Sequence, residues 1–182
     1  MRVEILPVGK VKTDLTPISE RIQRILPHTV CTVNSTPLPI PDEAYHPERD
    51  QYHATEILHS IQKNSREREE MHRILSITDI DLYVPDLNFV FGQAECPGRT
   101  ALISRFRLRP QFYGHPGDLE LLTERTLKEA IHELGHTLGL RHCPQPSCVM
   151  HFSNSILETD KKQTLFCTSC LNKVRWTVNH LD

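Results

Sequence analysis

The residues best suited to chemistry lie in one segment, HELGHTLGLRHCPQPSCVM, at positions 132–150. His132 and His136 are four residues apart, and on a helix this spacing turns the two imidazoles by only about 40° relative to each other. Both rings then share one face and can bind one zinc ion. Glu133 is placed to reach a water molecule at the metal, where a carboxylate can accept a proton and later donate it. The alternative is a helix with surface histidines, because a bare HExxH motif also arises by chance.

A third histidine strengthens the metal hypothesis. On a continuous helix His142 would be rotated by about 240° from His136, away from the shared face. Gly139 lies between them, and glycine accepts the left-handed conformation in which helices often end. If the helix ends there, the chain can turn and bring His142 back. HExxHxxGxxH therefore predicts a three-histidine catalytic zinc site with an open fourth position.

Two pairs of cysteines follow the third histidine: Cys143, Cys148, Cys167 and Cys170. Paired cysteines separated by a loop are typical of a four-thiolate zinc site, which leaves no open position and is structural. The alternative is four free thiols. Consecutive side chains of an extended segment point in opposite directions, so His142 and Cys143 are expected to bind two distinct zinc ions.

Hydrophobic periodicity predicts the elements that position these residues. Strands are expected at 2–8 and 29–33, and in the short β-rich runs ILSIT, DLYVP, LNFVFGQAE and TALISRFRL. At the end of the last run, Arg105, Arg107 and Arg109 would share one strand face, which could be a solvated surface or an anion-docking edge. Helices are expected at 14–26, at 48–64, through TERTLKEAIHELGHTL with a cap at Thr123 or a neighbour, and around 167–178. The pattern predicts an α+β (α/β-like) fold, a twisted mixed sheet packed with helices. We expect one domain, 1–182, with an N-terminal part, 1–139, and a zinc-stapled C-terminal part, 140–182.

Composition narrows the classes of partner. The formal net charge is −2, which offers no electrostatic attraction to nucleic acid or to a membrane surface. The apolar stretch at the N-terminus is interrupted by Glu4 and Pro7 and is too short for a signal peptide, so we expect a cytoplasmic protein. In that reducing compartment the six cysteines are poor disulfide candidates, and Cys31 and Cys96 are expected to be small buried residues.

HELGHTLGLRH resembles the zinc signature of the metzincin metallopeptidases, and with CPQPSCVM and CTSC it resembles the archaemetzincin family specifically. In that family a cysteine follows the third histidine directly, a second cysteine and a methionine come next, and a CxxC closes the second zinc site. The resemblance implies a metzincin-like fold with the cleft between sheet and tail. It also implies that Met150 forms the "Met-turn" beneath the histidines.

Two functions follow from these observations. The first is a zinc-dependent metallopeptidase that carries two zinc ions, uses Glu133 as general base and acts as a monomer on a peptide or protein substrate. The second is a two-zinc binding or scaffold protein whose active site is blocked or highly selective. Phe152 motivates this alternative, because some metzincins have a tyrosine at that position and phenylalanine can neither bind metal nor donate a hydrogen bond.

Overall fold

The computed structural model describes residues 1–181, which form two β-sheets and five α-helices. The strands are β1 (Arg2–Val8), β2 (Val30–Val33), β3 (Tyr45–His46), β4 (Gln51–His53), β5 (Arg73–Thr78), β6 (Leu82–Tyr83), β7 (Gly92–Ala94) and β8 (Thr100–Ser104). The helices are α1 (Thr16–Ile25), α2 (Ala54–Ser65), α3 (Leu119–Thr137), α4 (Ile156–Lys161) and α5 (Thr168–Asn179).

The main sheet has the strand order β2-β1-β5-β8-β7. Its first four strands are parallel, and β7 pairs antiparallel with β8 at the edge. Every residue of β5 and β8 is buried, as expected for parallel strands covered on both faces. The second sheet is small, with the order β3-β4-β6. The predicted mixed sheet packed with helices is thus confirmed.

Successive side chains along the central strands point to opposite faces of the sheet, which divides the core into two layers. Ile5 of β1 packs into the layer that contains α1, α3 and α5, whereas its neighbour Leu6 packs into the opposite layer with α2. Leu102 and Ile103 of β8 separate in the same way. The helix that carries the HExxH motif is therefore anchored directly on the sheet.

The start of α3 differs from the sequence-based expectation. The cap is Asp118, whose carboxylate accepts a hydrogen bond from the backbone amide of Leu121 at 2.9 Å, and neither Thr123 nor an adjacent residue has this role. Aspartate at this position satisfies one of the free amides of the first turn. The helix therefore gains a turn before its buried section, and every residue from Arg125 to Gly135 is buried.

Two further element predictions are wrong. The helix expected at 48–64 begins only at Ala54, because residues 51–53 form β4 and satisfy their backbone groups by pairing with β3 and β6. The segment after β8 is a short 3₁₀ helix, Phe106–Leu108, rather than a strand. Its arginines are neither a solvated face nor a docking edge, because they form ion pairs with two aspartates: Arg105 and Arg109 with Asp79, and Arg107 with Asp81.

The C-terminal part packs onto the same core as α3 through Val149, Met150, Val174 and Val178. Sequence periodicity predicts α5 closely but not α4, which has only six residues. Residue 182, the end of the predicted C-terminal part, lies outside the described residues. None of the helices within 1–181 combines the length and the apolar character that a membrane crossing requires.

Candidate zinc centres and active-site cavity

The structure brings the three predicted histidines together at the end of α3. One ring nitrogen from each of His132, His136 and His142 lies within 4.8 Å of the others. The Nε2 atoms of His132 and His136 are 3.1 Å apart. Two nitrogens bound to a tetrahedral zinc ion are separated by roughly 3.3 Å, so this spacing fits zinc.

Backbone carbonyls orient the first two rings. Nδ1–H of His132 donates to the Val149 carbonyl at 2.8 Å, and Nδ1–H of His136 donates to the Leu140 carbonyl at 2.8 Å. Since a carbonyl can only accept, each contact places the proton on Nδ1 and leaves the Nε2 lone pair free for a metal. Burial lowers the pKa of both histidines, which favours the neutral, metal-binding form.

The turn that returns His142 to the site depends on Gly139. Its φ angle is +86°, the left-handed conformation expected at the end of this helix. The Gly139 amide donates to the His136 carbonyl at 2.8 Å, and the Leu140 amide donates to the Gly135 carbonyl at 3.0 Å. These bonds close α3 one turn before His142.

We expect Gly139→Ala to weaken both the fold and the histidine site. A side chain in this conformation costs roughly 1–2 kcal/mol, and relaxing that strain would move His142. A Cβ atom itself would make only an ordinary contact, 3.7 Å from Pro97 Cβ. Urea unfolding and zinc titration measure the two effects.

Gly114→Ala is the matched control for that prediction. Gly114 has a φ of +77° and open space around its Cβ position, so it should show a similar stability loss with unchanged zinc affinity. If Gly139→Ala bound zinc as tightly as Gly114→Ala, the turn would have no role in positioning His142.

The HELGH helix packs directly on Met150. Met150 is fully buried, and a Cβ atom at Gly135 would overlap its sulfur and lie 3.1 Å from its Cε. Glycine at this position therefore lets the methionine approach the backbone of α3 one residue before His136. The Met-turn role that the resemblance implies for Met150 stays a prediction.

Glu133 projects from the same helix into a buried environment. It is 5% exposed, and burial, reinforced by the charge of Glu129, raises its pKa to about 8 in the absence of metal. The side chain passes close to β7, because a Cβ atom at Gly92 would lie 2.7 Å from Glu133 Cγ and 2.8 Å from its Oε1. Gly92 thus makes room for the carboxylate, a role that sequence reasoning missed.

We expect Gly92→Ala to displace Glu133. If Glu133 is the general base that its place in the motif predicts, peptide hydrolysis should fall about tenfold or more, because misplacement of a catalytic group by about 1 Å costs up to 100-fold. The Leu102 carbonyl, 2.8 Å from the same Cβ position, prevents an easy shift of the strand. Zinc content should not change. Gly117→Ala is the control, since its Cβ meets only the flexible end of Gln111. Equal kcat/KM values in the two variants would contradict the prediction.

The four predicted cysteines form a second cluster, separate from the histidines. Their sulfur atoms lie within 4.8 Å of one another, and the Sγ atoms of Cys143 and Cys167 are 3.8 Å apart. Two sulfurs on a tetrahedral zinc ion are also separated by roughly 3.8 Å. The Cys170 amide, which donates to the Cys167 sulfur, lowers the pKa of that thiol to about 7, whereas burial raises the pKa of the Cys148 and Cys170 thiols.

Backbone contacts connect the two clusters. The Cys143 amide donates to the Met150 carbonyl at 2.9 Å. Cys148 immediately precedes Val149, whose carbonyl orients His132. Metal bound by the cysteines would therefore fix the segment from Cys143 to Met150, which supports the histidine site.

A cavity of about 640 Å³ opens beside both Glu133 and the three histidines. It lies between the β7 edge of the sheet and the tail, where Phe152 packs against His142 with ring centroids 4.7 Å apart. Cys96 lines this cavity and is exposed, so its expected burial is wrong, whereas Cys31 is buried. Sequence reasoning also missed Lys162, which lines the cavity although it lies far from the motif along the chain.

Comparisons with known proteins agree with this geometry. The model of peptidase family M54 matches residues 8–176. A relative from Pyrococcus furiosus, an archaemetzincin, is 44% identical over 174 residues, covering 93% of this chain and 90% of the relative.

Two solved structures are similar over nearly the whole chain. An archaemetzincin from Methanopyrus kandleri is 36% identical with a TM-score of 0.83, covering 99% of this chain and 96% of the other. A zinc-dependent peptidase from Methanocorpusculum labreanum is 30% identical with a TM-score of 0.86, covering 94% and 99%. No comparison favours the scaffold alternative. The chain therefore belongs to peptidase family M54 and is a zinc-dependent metallopeptidase of the archaemetzincin type.

Proposed function

We propose that His132, His136 and His142 hold the catalytic zinc ion and that Glu133 is the catalytic base of peptide hydrolysis. The observation that carries the proposal is the convergence of three ring nitrogens within 4.8 Å at the wall of an open cavity. The Nδ1 contacts of His132 and His136 support it, because they direct Nε2 of both rings to the same point. Three protein ligands leave one position open for reactants.

In this mechanism zinc supplies Lewis-acid polarisation of the scissile carbonyl and a lower pKa for the attacking water. Glu133 takes the proton of that water and later transfers it to the leaving amine. The buried surroundings of Glu133 make its carboxylate a stronger base than an exposed one. The Val149 and Leu140 carbonyls keep the imidazoles of His132 and His136 oriented throughout, and the Phe152 ring packs against His142.

We also propose that Cys143, Cys148, Cys167 and Cys170 bind a second, structural zinc ion, which gives two per chain. Residues 140–182 would then be a zinc-stapled subdomain of a single domain whose remainder is residues 1–139. The sulfur spacing supports this assignment, and so do the bonds that connect the cysteine segment to the histidine segment. Met150 would form the apolar floor beneath the three histidines.

We further propose a monomeric, cytoplasmic enzyme that acts on peptides or proteins and has no nucleic acid partner. The net charge of −2 supports the last point. None of the six cysteines forms a disulfide in the structure, which suits a reducing compartment.

Peptide-library hydrolysis by the zinc-loaded protein tests the catalytic proposal, with products identified by mass spectrometry. We expect cleavage by the wild type, loss of cleavage after zinc chelation, and recovery on adding zinc back. Equal cleavage by wild type and Glu133→Ala would overturn the assignment of Glu133.

A further inference from the structure

The active-site cavity contains a buried cation that the peptidase mechanism does not use. Lys162, the residue directly after α4, is 1% exposed and lines the cavity together with Glu133 and His136. Its Nζ lies 3.0 Å from Oε1 of Glu129, which is 3% exposed. A buried ion pair of this kind adds little stability relative to apolar residues of similar size, so its presence calls for another explanation.

The ion pair leaves part of the ammonium group available. Oε1 of Glu129 also accepts a hydrogen bond from Thr159 Oγ1 at 3.2 Å, so the carboxylate is shared between two donors. A lysine ammonium carries three protons. Within residues 1–181 no acceptor is aligned for a hydrogen bond with Lys162 Nζ, although its ionic contact with Glu129 is close.

A second donor with free hydrogen-bonding capacity lies in the same cavity wall. The Ser153 hydroxyl is buried and has no hydrogen-bond partner among the described residues. Buried polar atoms are nearly always paired with protein or water, so both donors in this wall have capacity to bind a polar ligand. A ligand with two acceptor oxygens could accept one hydrogen bond from the Lys162 ammonium and one from the Ser153 hydroxyl.

The position of Lys162 places this ligand near the reacting bond. Lys162 lines the same cavity as Glu133 and the three histidines. A group bound at Lys162 would therefore lie in the cavity that contains the proposed zinc-binding nitrogens. Arg141, exposed at the same cavity, adds charge of the same sign.

We propose that Lys162 and Ser153 form a subsite that binds a carboxylate carried by the substrate residue beside the scissile bond. The carboxylate would be either an acidic side chain or the free C-terminus of a short peptide. Lys162 supplies a charge-assisted hydrogen bond and Ser153 a neutral one, while Glu129 holds the ammonium in place. A basic side chain is excluded by repulsion. This inference rests on the proposed peptidase function.

The test compares kcat/KM for peptides that differ only by Glu or Gln at positions flanking the cleaved bond. We expect the wild type to prefer the Glu peptide about tenfold or more, because a hydrogen bond to a charged group is markedly stronger than one to a neutral group. Lys162→Met should abolish the preference, and Ser153→Ala should reduce it. Peptides with a free or an amidated C-terminus distinguish the two sources of the carboxylate.

Two further variants keep the test valid if Lys162→Met folds poorly. The double variant Glu129→Gln/Lys162→Met removes both buried charges and should show no preference. In zinc-loaded Glu133→Gln, calorimetry measures binding of the same peptides without turnover, and we expect tighter binding of the Glu peptide. Equal cleavage and equal binding of the Glu and Gln peptides would overturn the subsite and leave the peptidase function intact. Absence of any cleavage by the wild type would instead contradict the proposed function.

Discussion

Glu133→Gln reduces peptide hydrolysis by about 100-fold or more while the protein keeps its fold and its zinc; this is the expected result for a catalytic base, whose contribution is typically about 10²- to 10⁴-fold. Glutamine has nearly the same volume, so it fits the space beside Gly92. Its amide cannot accept a proton from water at neutral pH. The measurement is kcat/KM on a peptide that the wild type cleaves.

The control for this variant is Glu124→Gln, on the same helix. Glu124 forms a partly exposed ion pair with Arg21, away from the cavity. Loss of this ion pair should leave kcat/KM unchanged. A Glu133→Gln variant that retained half of the wild-type activity would show that another group performs the proton transfer.

Cys167→Ser is expected to have the largest effect on stability. A structural zinc site contributes to folding directly, since apparent zinc-binding free energies in zinc-finger peptides are about 10–16 kcal/mol at neutral pH. Without that metal the segment from Cys143 to α5 keeps only its core contacts, such as those of Val149, Met150 and Val174. We expect rapid proteolysis of this segment, measured by limited digestion and mass spectrometry, and a lower unfolding temperature.

The same change should also reduce activity, although Cys167 is not part of the histidine site. Val149, whose carbonyl accepts a hydrogen bond from His132 Nδ1–H, directly follows Cys148, a proposed ligand of the second zinc ion. Loss of order there would remove the support of His132, a proposed ligand of the catalytic zinc, and such supporting contacts are typically worth about 10- to 100-fold in metal affinity or activity. Cys96→Ser, an exposed cysteine outside the four-sulfur cluster, is the control and should keep an ordered tail. An intact, protease-resistant tail in Cys167→Ser would contradict the structural role of the second metal.

The chemistry of the site could be predicted from local spacing. The four-residue interval of His132 and His136 and the glycine at 139 are properties of a helix and its end, so they can be read without knowing the fold. The carbonyls that orient the rings could not be predicted, because any residue supplies a carbonyl. Val149 and Leu140 have this role through their position in space alone.

The long-range parts of the cavity were also inaccessible to sequence reasoning. Lys162 meets Glu129 only because α4 packs on α3, and no spacing rule connects them. The arginines after β8 alternate as in a strand, yet ion pairs with Asp79 and Asp81 favour a 3₁₀ turn. The cap of α3 was expected near Thr123, but the capping residue is Asp118. The first turn after Asp118 is largely exposed, so hydrophobic periodicity does not mark it as part of the helix.

One peptide bond, between His142 and Cys143, is proposed to separate two distinct zinc centres. Zinc per chain, measured by mass spectrometry of metal-loaded protein, tests it most directly in wild type, His136→Ala and Cys167→Ser. We expect two zinc ions in the wild type, loss of one with an intact fold in His136→Ala, and loss of the other with a disordered tail in Cys167→Ser. A single zinc ion in the wild type, or loss of both ions in His136→Ala, would contradict it.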